Sequence, residues 1–141
     1  MNSMITFDTN VFVYAVDANE PRKQSIARQL IDTALDDGEE IALLWQVACE
    51  FLACLRRWQN DGRMTADEVG THIRRIIMLF GIQIPSRSVI ESSLKLHERY
   101  SLSHWDSLLL AACIDAGVAT LYTKDLDAGT AYESVSVINP F

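Results

Sequence analysis

The stretch MITFDTNVFVYAVD places one carboxylate, Asp8, between two apolar runs at residues 4–7 and 11–16. The first run is too short for a helix and suits a buried strand. Asp8-Thr9-Asn10 then supplies N-cap chemistry for a helix over residues 11–16. A strand that passes through a polar corner straight into a helix is how strand–helix–strand units begin, and such units build parallel sheets. Burying an unpaired charge is costly. Asp8 therefore either caps a helix or belongs to a site that wants negative charge.

The rest of the chain repeats the alternation. Pro21 opens a helix over residues 22–35, with Ile26, Ala27, Leu30, Ile31 and Ala34 on one face. Residues 41–44 suit a second strand and 45–58 a helix. Asn60-Asp61-Gly62 is a turn, and Thr65 caps a helix running to Phe80, with Ile73, Ile76, Ile77 and Phe80 as its stripe; Gly81 is expected to stop it. Residues 82–84 are briefly extended. Ser88–Tyr100 is amphipathic, with Ile90, Leu94, Leu96 and His97 expected on one side. Residues 105–116 are apolar on nearly every face, which predicts a helix buried between layers, and Gly117 is its C-cap. Residues 119–122 and Val135–Ile138 read as the last strands. The expectation is one α/β domain over residues 1–141 with a largely parallel sheet of four to five strands, whose function gathers at the carboxyl ends of the strands.

Charge and cysteine usage narrow the function classes. Nineteen acids against twelve bases give a net charge of −7, which argues against gripping nucleic acid by a bulk positive face. It leaves open a protein that handles phosphates through bound cations. Cys49, Cys54 and Cys113 match no zinc spacing and read as small core residues in a reducing cytoplasm. The longest apolar run, residues 108–114, is far short of the roughly 20 residues that span a bilayer. Asp8 interrupts the only segment resembling a signal peptide, so a cytoplasmic protein without a membrane anchor is expected. His72, His97 and His104 share no ligand spacing, and there is no Gly-rich phosphate loop.

Four carboxylates sit where a core-forming chain has no need of them. Asp8 follows the first strand, Glu50 interrupts WQVACEFLACL, Asp106 precedes SLLLAACI, and Asp125 follows VATLY by one turn. Each has an ordinary explanation. Asp8 caps a helix. Glu50 lies on a polar or small stripe with Gln46, Ala53 and Arg57. Asp106 sits in a first helical turn, where the macrodipole favours acids, and Asp125 suits a turn. One requirement accounts for all four together: a site for Mg²⁺ or Mn²⁺, hard cations that take oxygen ligands.

These pieces, in this order, resemble the PIN-domain ribonucleases, and among them the VapC-type toxins of bacterial toxin–antitoxin pairs. The resemblance rests on FDTNVFVYAVD, QVACEF, SHWDSLLLAACIDAG, LYTKDLDAG and the ending VSVINPF, and it spans nearly the whole chain. It implies a PIN-like three-layer α/β/α fold and metal-dependent cleavage of RNA. Asp8, Glu50, Asp106 and Asp125 match the family's acidic quartet, and Thr9, Asn10 and Thr123 match its supporting polar residues. Where relatives often carry a second acid beside the last one, this chain has Lys124; Asp127 stands nearby as a substitute. A cognate antitoxin and a homodimer are also implied, on the helices around residues 21–37 and 65–80.

RNA contact then has to come from local charge. The candidates are Arg22-Lys23, Arg56-Arg57, Arg74-Arg75, Arg63 and Arg87, with Arg56 and Arg57 preferred because they lie about two turns beyond Glu50 on one helix. Two other classes compete with a nuclease. A phosphoacceptor receiver domain shares the fold class, the acidic site and a lysine after a late strand, yet needs an acid after a middle strand, where this chain has Trp45-Gln46 and Pro85-Ser86. A catalytically inactive PIN-fold binding protein keeps the fold without the chemistry.

Overall fold

A computed structural model describes residues 3–141. The elements run β1 (Met4–Phe7), α1 (Thr9–Val16), α2 (Pro21–Asp36), β2 (Glu40–Leu44), α3 (Trp45–Asn60), α4 (Ala66–Leu79), β3 (Gly81–Gln83), α5 (Ser88–Tyr100), α6 (His104–Ala116), β4 (Val118–Tyr122), β5 (Ala131–Tyr132) and β6 (Val135–Ile138). They form one sheet in the order β3-β2-β1-β4-β6-β5. Every pairing is parallel except β5 with β6. The sheet thus has six strands, where the sequence suggests four to five. The extra one, Ala131–Tyr132, is too short to leave an alternating pattern.

Local chemistry accounts for the element ends. Asp8 caps α1 by accepting from the Thr9 amide. Thr65 and Glu68 form a reciprocal capping box at the start of α4, an arrangement worth about 1 kcal/mol. Gly117 closes α6 with φ 79°, a left-handed conformation that glycine adopts at no steric cost. Gly81, expected only to stop a helix, is the first residue of β3, which pairs beside β2.

Successive crossovers in one direction along a sheet lie on one face, because parallel connections are right-handed. α1 to α4 connect β1, β2 and β3 in that way and pack on one another. α5 and α6 pack together and carry the chain back across the sheet to β4, giving three layers. Phe7, Leu43, Leu44, Leu110, Leu121 and Val137 are among the side chains buried in this core.

Helix faces depart from the periodicity at particular places. On α5 the buried side is Val89, Ser93 and Leu96, while Ile90 and Leu94 are 61% and 66% exposed. On α4, Val69 and Ile76 are buried and Ile77 is exposed. α6 buries Leu109, Leu110 and Cys113 but presents Trp105 to solvent. Cys49, expected in the core, is also exposed; Cys54 and Cys113 are buried. No helix among the described residues is long and apolar enough to cross a membrane.

Candidate active site

β1 is the strand at which the chain changes direction of winding: β2 lies on one side of it and β4 on the other. In open parallel sheets a crevice forms there, beyond the carboxyl ends of the strands. The ladder continues past both strands. The Asp8 amide donates to Tyr122 O at 2.9 Å, and the Thr123 amide donates to Ile138 O at 2.9 Å. Asp8 and Thr123 are therefore held side by side at the sheet edge, although 115 positions separate them.

The Thr123 hydroxyl, fully buried, donates to Asp8 Oδ2 at 2.7 Å, and the Thr9 amide donates to Asp8 Oδ1 at 2.7 Å. Asn10 Nδ2 reaches Asp125 Oδ2 at 3.2 Å, Thr123 Oγ1 at 3.3 Å and Asp8 Oδ2 at 3.4 Å. The Asp125 amide donates to Thr123 Oγ1 at 3.1 Å. Asn10 and Thr123 thus tie together the first and last acids of the predicted quartet. Asp8 is only 7% exposed. Burial pushes its carboxyl up to about 6, with the charges of Asp125 and Glu50 adding to the rise, against the lowering by its Thr123 and Thr9 donors.

Glu50 lies on α3 and is exposed, with Oε1 accepting from Gln46 Nε2 at 2.8 Å. The same Gln46 amide donates to Trp105 O at 3.3 Å, so Gln46 links Glu50 to the first turn of α6, where Asp106 sits. Asp106 is half-buried, its amide is capped by Ser103, and its carboxylate makes no hydrogen bond or ion pair among the described residues. Gln46 was visible in the sequence only as part of a polar stripe; its link to α6 spans 59 positions and leaves no local pattern.

The corner carries oxygen ligands in excess of donors. Thr9 Oγ1 and Asn10 Oδ1 are buried with no hydrogen-bond partner among the described residues. No cationic side chain is among the groups that perturb Asp8. An anionic corner whose unpaired acceptors among the described residues are all oxygens fits a hard cation or the water around one. The side chains are not gathered into a cage: no group of three or more His, Cys, Asp or Glu among the described residues stands ready to hold a metal by itself.

The other predicted residues fall elsewhere. Asp127 is exposed, and its field acts on Tyr132 rather than on Asp8. Arg56 faces a furrow between α3 and α4, shared with Arg74, while Arg57 lies beside Cys54. Lys124 makes no hydrogen bond to an acid among the described residues and donates to Tyr14 Oη at 2.9 Å, which holds its ammonium above, and the Tyr14 phenol below, their usual ranges. Beside Glu50 an apolar groove of about 750 Å³ runs along α6, lined by Trp45, Ile84, Ile90, Trp105 and Leu108.

Comparison with known proteins adds three findings. A family model described as PIN domain matches residues 5–133. A Mycobacterium tuberculosis protein named Ribonuclease VapC23 is 28% identical over 133 residues, covering 93% of this chain and all of that one. Among solved structures, a toxin–antitoxin complex from Klebsiella pneumoniae superposes with a TM-score of 0.66 at 18% identity, over 97% of this chain and 98% of that one. The crystal structure of PAE2754 from Pyrobaculum aerophilum gives a TM-score of 0.62 at 16% identity, over 89% and 82% of the two chains.

Proposed function

Because the chain belongs to the PIN domain family, we propose that it is a metal-dependent endoribonuclease, the toxin of a toxin–antitoxin pair. The observation that carries this reading is Asp8: a buried carboxylate, drawn up to about 6, beside two buried oxygens that have no hydrogen-bond partner among the described residues, and with no described cationic side chain among the groups that perturb it. Such a group is costly in a fold that asks nothing of it. The likeness to the mycobacterial ribonuclease supports the same reading at the level of activity.

In this reading Asp8, Asp106 and Asp125 would hold Mg²⁺ or Mn²⁺, and Glu50 would serve the same ion or orient a water beside it. A bound divalent ion supplies a more acidic water and neutralises charge on the phosphorus oxygens. The chain's own residues prepare the corner. Thr123 fixes the rotamer of Asp8 by donating to Oδ2, and the Thr9 amide fixes the other oxygen. Asn10 holds Asp125 in place and leaves Oδ1 free to accept from a water. Gln46 keeps Glu50 turned toward the start of α6.

A cytoplasmic location, with this domain acting on RNA and restrained by a cognate antitoxin, completes the proposal. Exposed Trp45, Ile84, Ile90 and Trp105 offer apolar surface for a protein partner, the antitoxin or a second copy of the chain. The receiver alternative lacks support: β2 and β3 end on Leu44 and Gln83, and Lys124 bonds to Tyr14 and makes no hydrogen bond to an acid among the described residues.

The test is cleavage of RNA with Mg²⁺ or Mn²⁺, compared with EDTA and with Asp8→Asn. Cleavage lost in both controls is expected. Cleavage that persists in EDTA, or at full rate in the variant, overturns the mechanism. Thermal melting gives a second readout: Mg²⁺ raises Tm if it binds only the folded corner, and a protein that melts unchanged holds no such site.

A further inference from the structure

Lys23 on α2 and Lys124 in the turn after β4 both donate to Tyr14 Oη, at 3.4 and 2.9 Å. Their ammonium groups stand 4.9 and 5.2 Å from the centre of the Tyr14 ring. Two like charges drawn to one neutral oxygen repel each other. The phenol alone is a weak reason to gather them.

Each ammonium carries three donors, and Tyr14 Oη is the only hydrogen-bond acceptor either lysine reaches among the described residues. The phenol, accepting from both, has its own proton left to give. Asp125 and Glu20 act on Lys124 through their fields without bonding to it. Arg22, beside Lys23, is turned to Phe141 O at 3.1 Å. What remains is a cluster of unspent N–H and O–H donors, partly open to solvent.

The cluster adjoins the acidic corner on two chain segments. Asn10 and Tyr14 are one turn apart on α1, on the same face. Asn10 binds Asp125, and Tyr14 binds Lys124, the residue next to it. Asp125 and Lys124 therefore set an acid and a base side by side next to α1.

We propose that Lys23, Tyr14 and Lys124 form a phosphodiester-binding subsite that seats the RNA strand beside the acidic corner. This rests on the ribonuclease reading. A chain of net charge −7 needs concentrated local cations to hold a polyanion. Two ammoniums and a phenol proton offer convergent donors to the two free oxygens of a phosphodiester. Arg56 and Arg57 face other directions and are not needed for it.

The experiment measures binding of a fluorescein-labelled, unstructured RNA oligonucleotide in EDTA, which separates binding from cleavage. The variants are Lys23→Ala/Lys124→Ala, Lys124→Gln, Lys124→Arg and Tyr14→Phe. The double variant is expected to bind roughly tenfold more weakly at low salt, with the slope of log affinity against log salt flattened by about 0.7 per lysine removed. Lys124→Gln, at an exposed position, carries half of that change, and Lys124→Arg restores it. Tyr14→Phe weakens binding without changing the salt slope, since no charge is lost. Wild-type affinity and slope in the double variant overturn the subsite while RNA cleavage, if present, keeps the enzyme reading. RNA bound with the predicted lysine dependence but never cleaved keeps the subsite and removes the enzyme reading. A wild-type protein that binds no RNA removes both.

Discussion

At the ends of β1 and β4 a carboxylate is buried; along α6 a row of large apolar side chains is exposed. Asp8 is 7% exposed, and Trp45 and Trp105 are 50% and 64% exposed. Each region inverts the usual partition of polar outside and apolar inside, but they differ in how they are held. The Asp8 corner is tied by hydrogen bonds from Thr9, Asn10 and Thr123. Its geometry is set before anything binds. The groove is tied only at its two ends among the described residues, by the Gln46 amide bridging α3 to α6 and by Ser86 donating to Asp115 of α6, while its apolar walls stay open. Fixed donors suit a task that needs charge at one point, and open apolar surface suits association. Glu50 stands where the two meet, one carboxylate on the groove wall that still acts on Asp8.

The sharpest way to break this contrast is Asp8→Asn. Loss of RNA cleavage on the order of a thousandfold, about 4 kcal/mol of barrier, is expected, measured as the initial rate with Mg²⁺. A comparable loss from Ile90→Ser would place the chemistry in the groove instead.

Next in size is the pH dependence of metal-free stability. The folded carboxyl of Asp8 is raised from 3.8 to about 6, so the folded state holds this proton more tightly than the unfolded chain does. The stability it contributes is complete below about pH 4 and is lost as pH rises through about 6. The change is roughly 3 kcal/mol. Denaturant melts in EDTA of wild type and Asp8→Asn should therefore diverge in the variant's favour between pH 4 and pH 7. Parallel curves would mean that Asp8 is not strained by burial.

Thr123→Val removes a fully buried hydroxyl that donates to Asp8 and accepts from the Asp125 amide and Asn10. A cost of about 1–3 kcal/mol in urea unfolding is expected, together with slower cleavage. The smallest effect belongs to the exposed apolar face of α5, of which Ile90 lines the groove. Ile90→Ser and Leu94→Ser should change stability by no more than about 0.5 kcal/mol, because both side chains already face water. A large loss in either would show that this face is covered in the folded protein.

The contrast also explains what the sequence disclosed. β1, the α1 cap and the bounds of α5 were legible because they rest on local rules: a short apolar run, an Asp before a helix, a 3.6-residue period. Asp8, Glu50, Asp106 and Asp125 stood out as acids set among apolar neighbours, while Thr9, Asn10 and Thr123 entered through the family resemblance; of these seven, Asp8, Thr9, Asn10, Thr123 and Asp125 meet at one corner by side chain or amide. Periodicity misplaced Ile90 and Leu94, since it counts apolar residues and α5 carries more than one face of them. Cys49 was misplaced for the same reason on α3. The two-residue β5 offered too little pattern, and the Lys124–Tyr14 bond, across 110 positions, offered none.

The pairing of β1 with β4 also orders events during synthesis. Met4–Phe7 is synthesised well before the neighbour that completes one side of it, Val118–Tyr122. Until then Asp8 has no Thr123 to orient it. The corner that carries Asp8 is therefore assembled only once Val118–Tyr122 has paired beside Met4–Phe7, so the site and the last long-range pairing of the sheet form together.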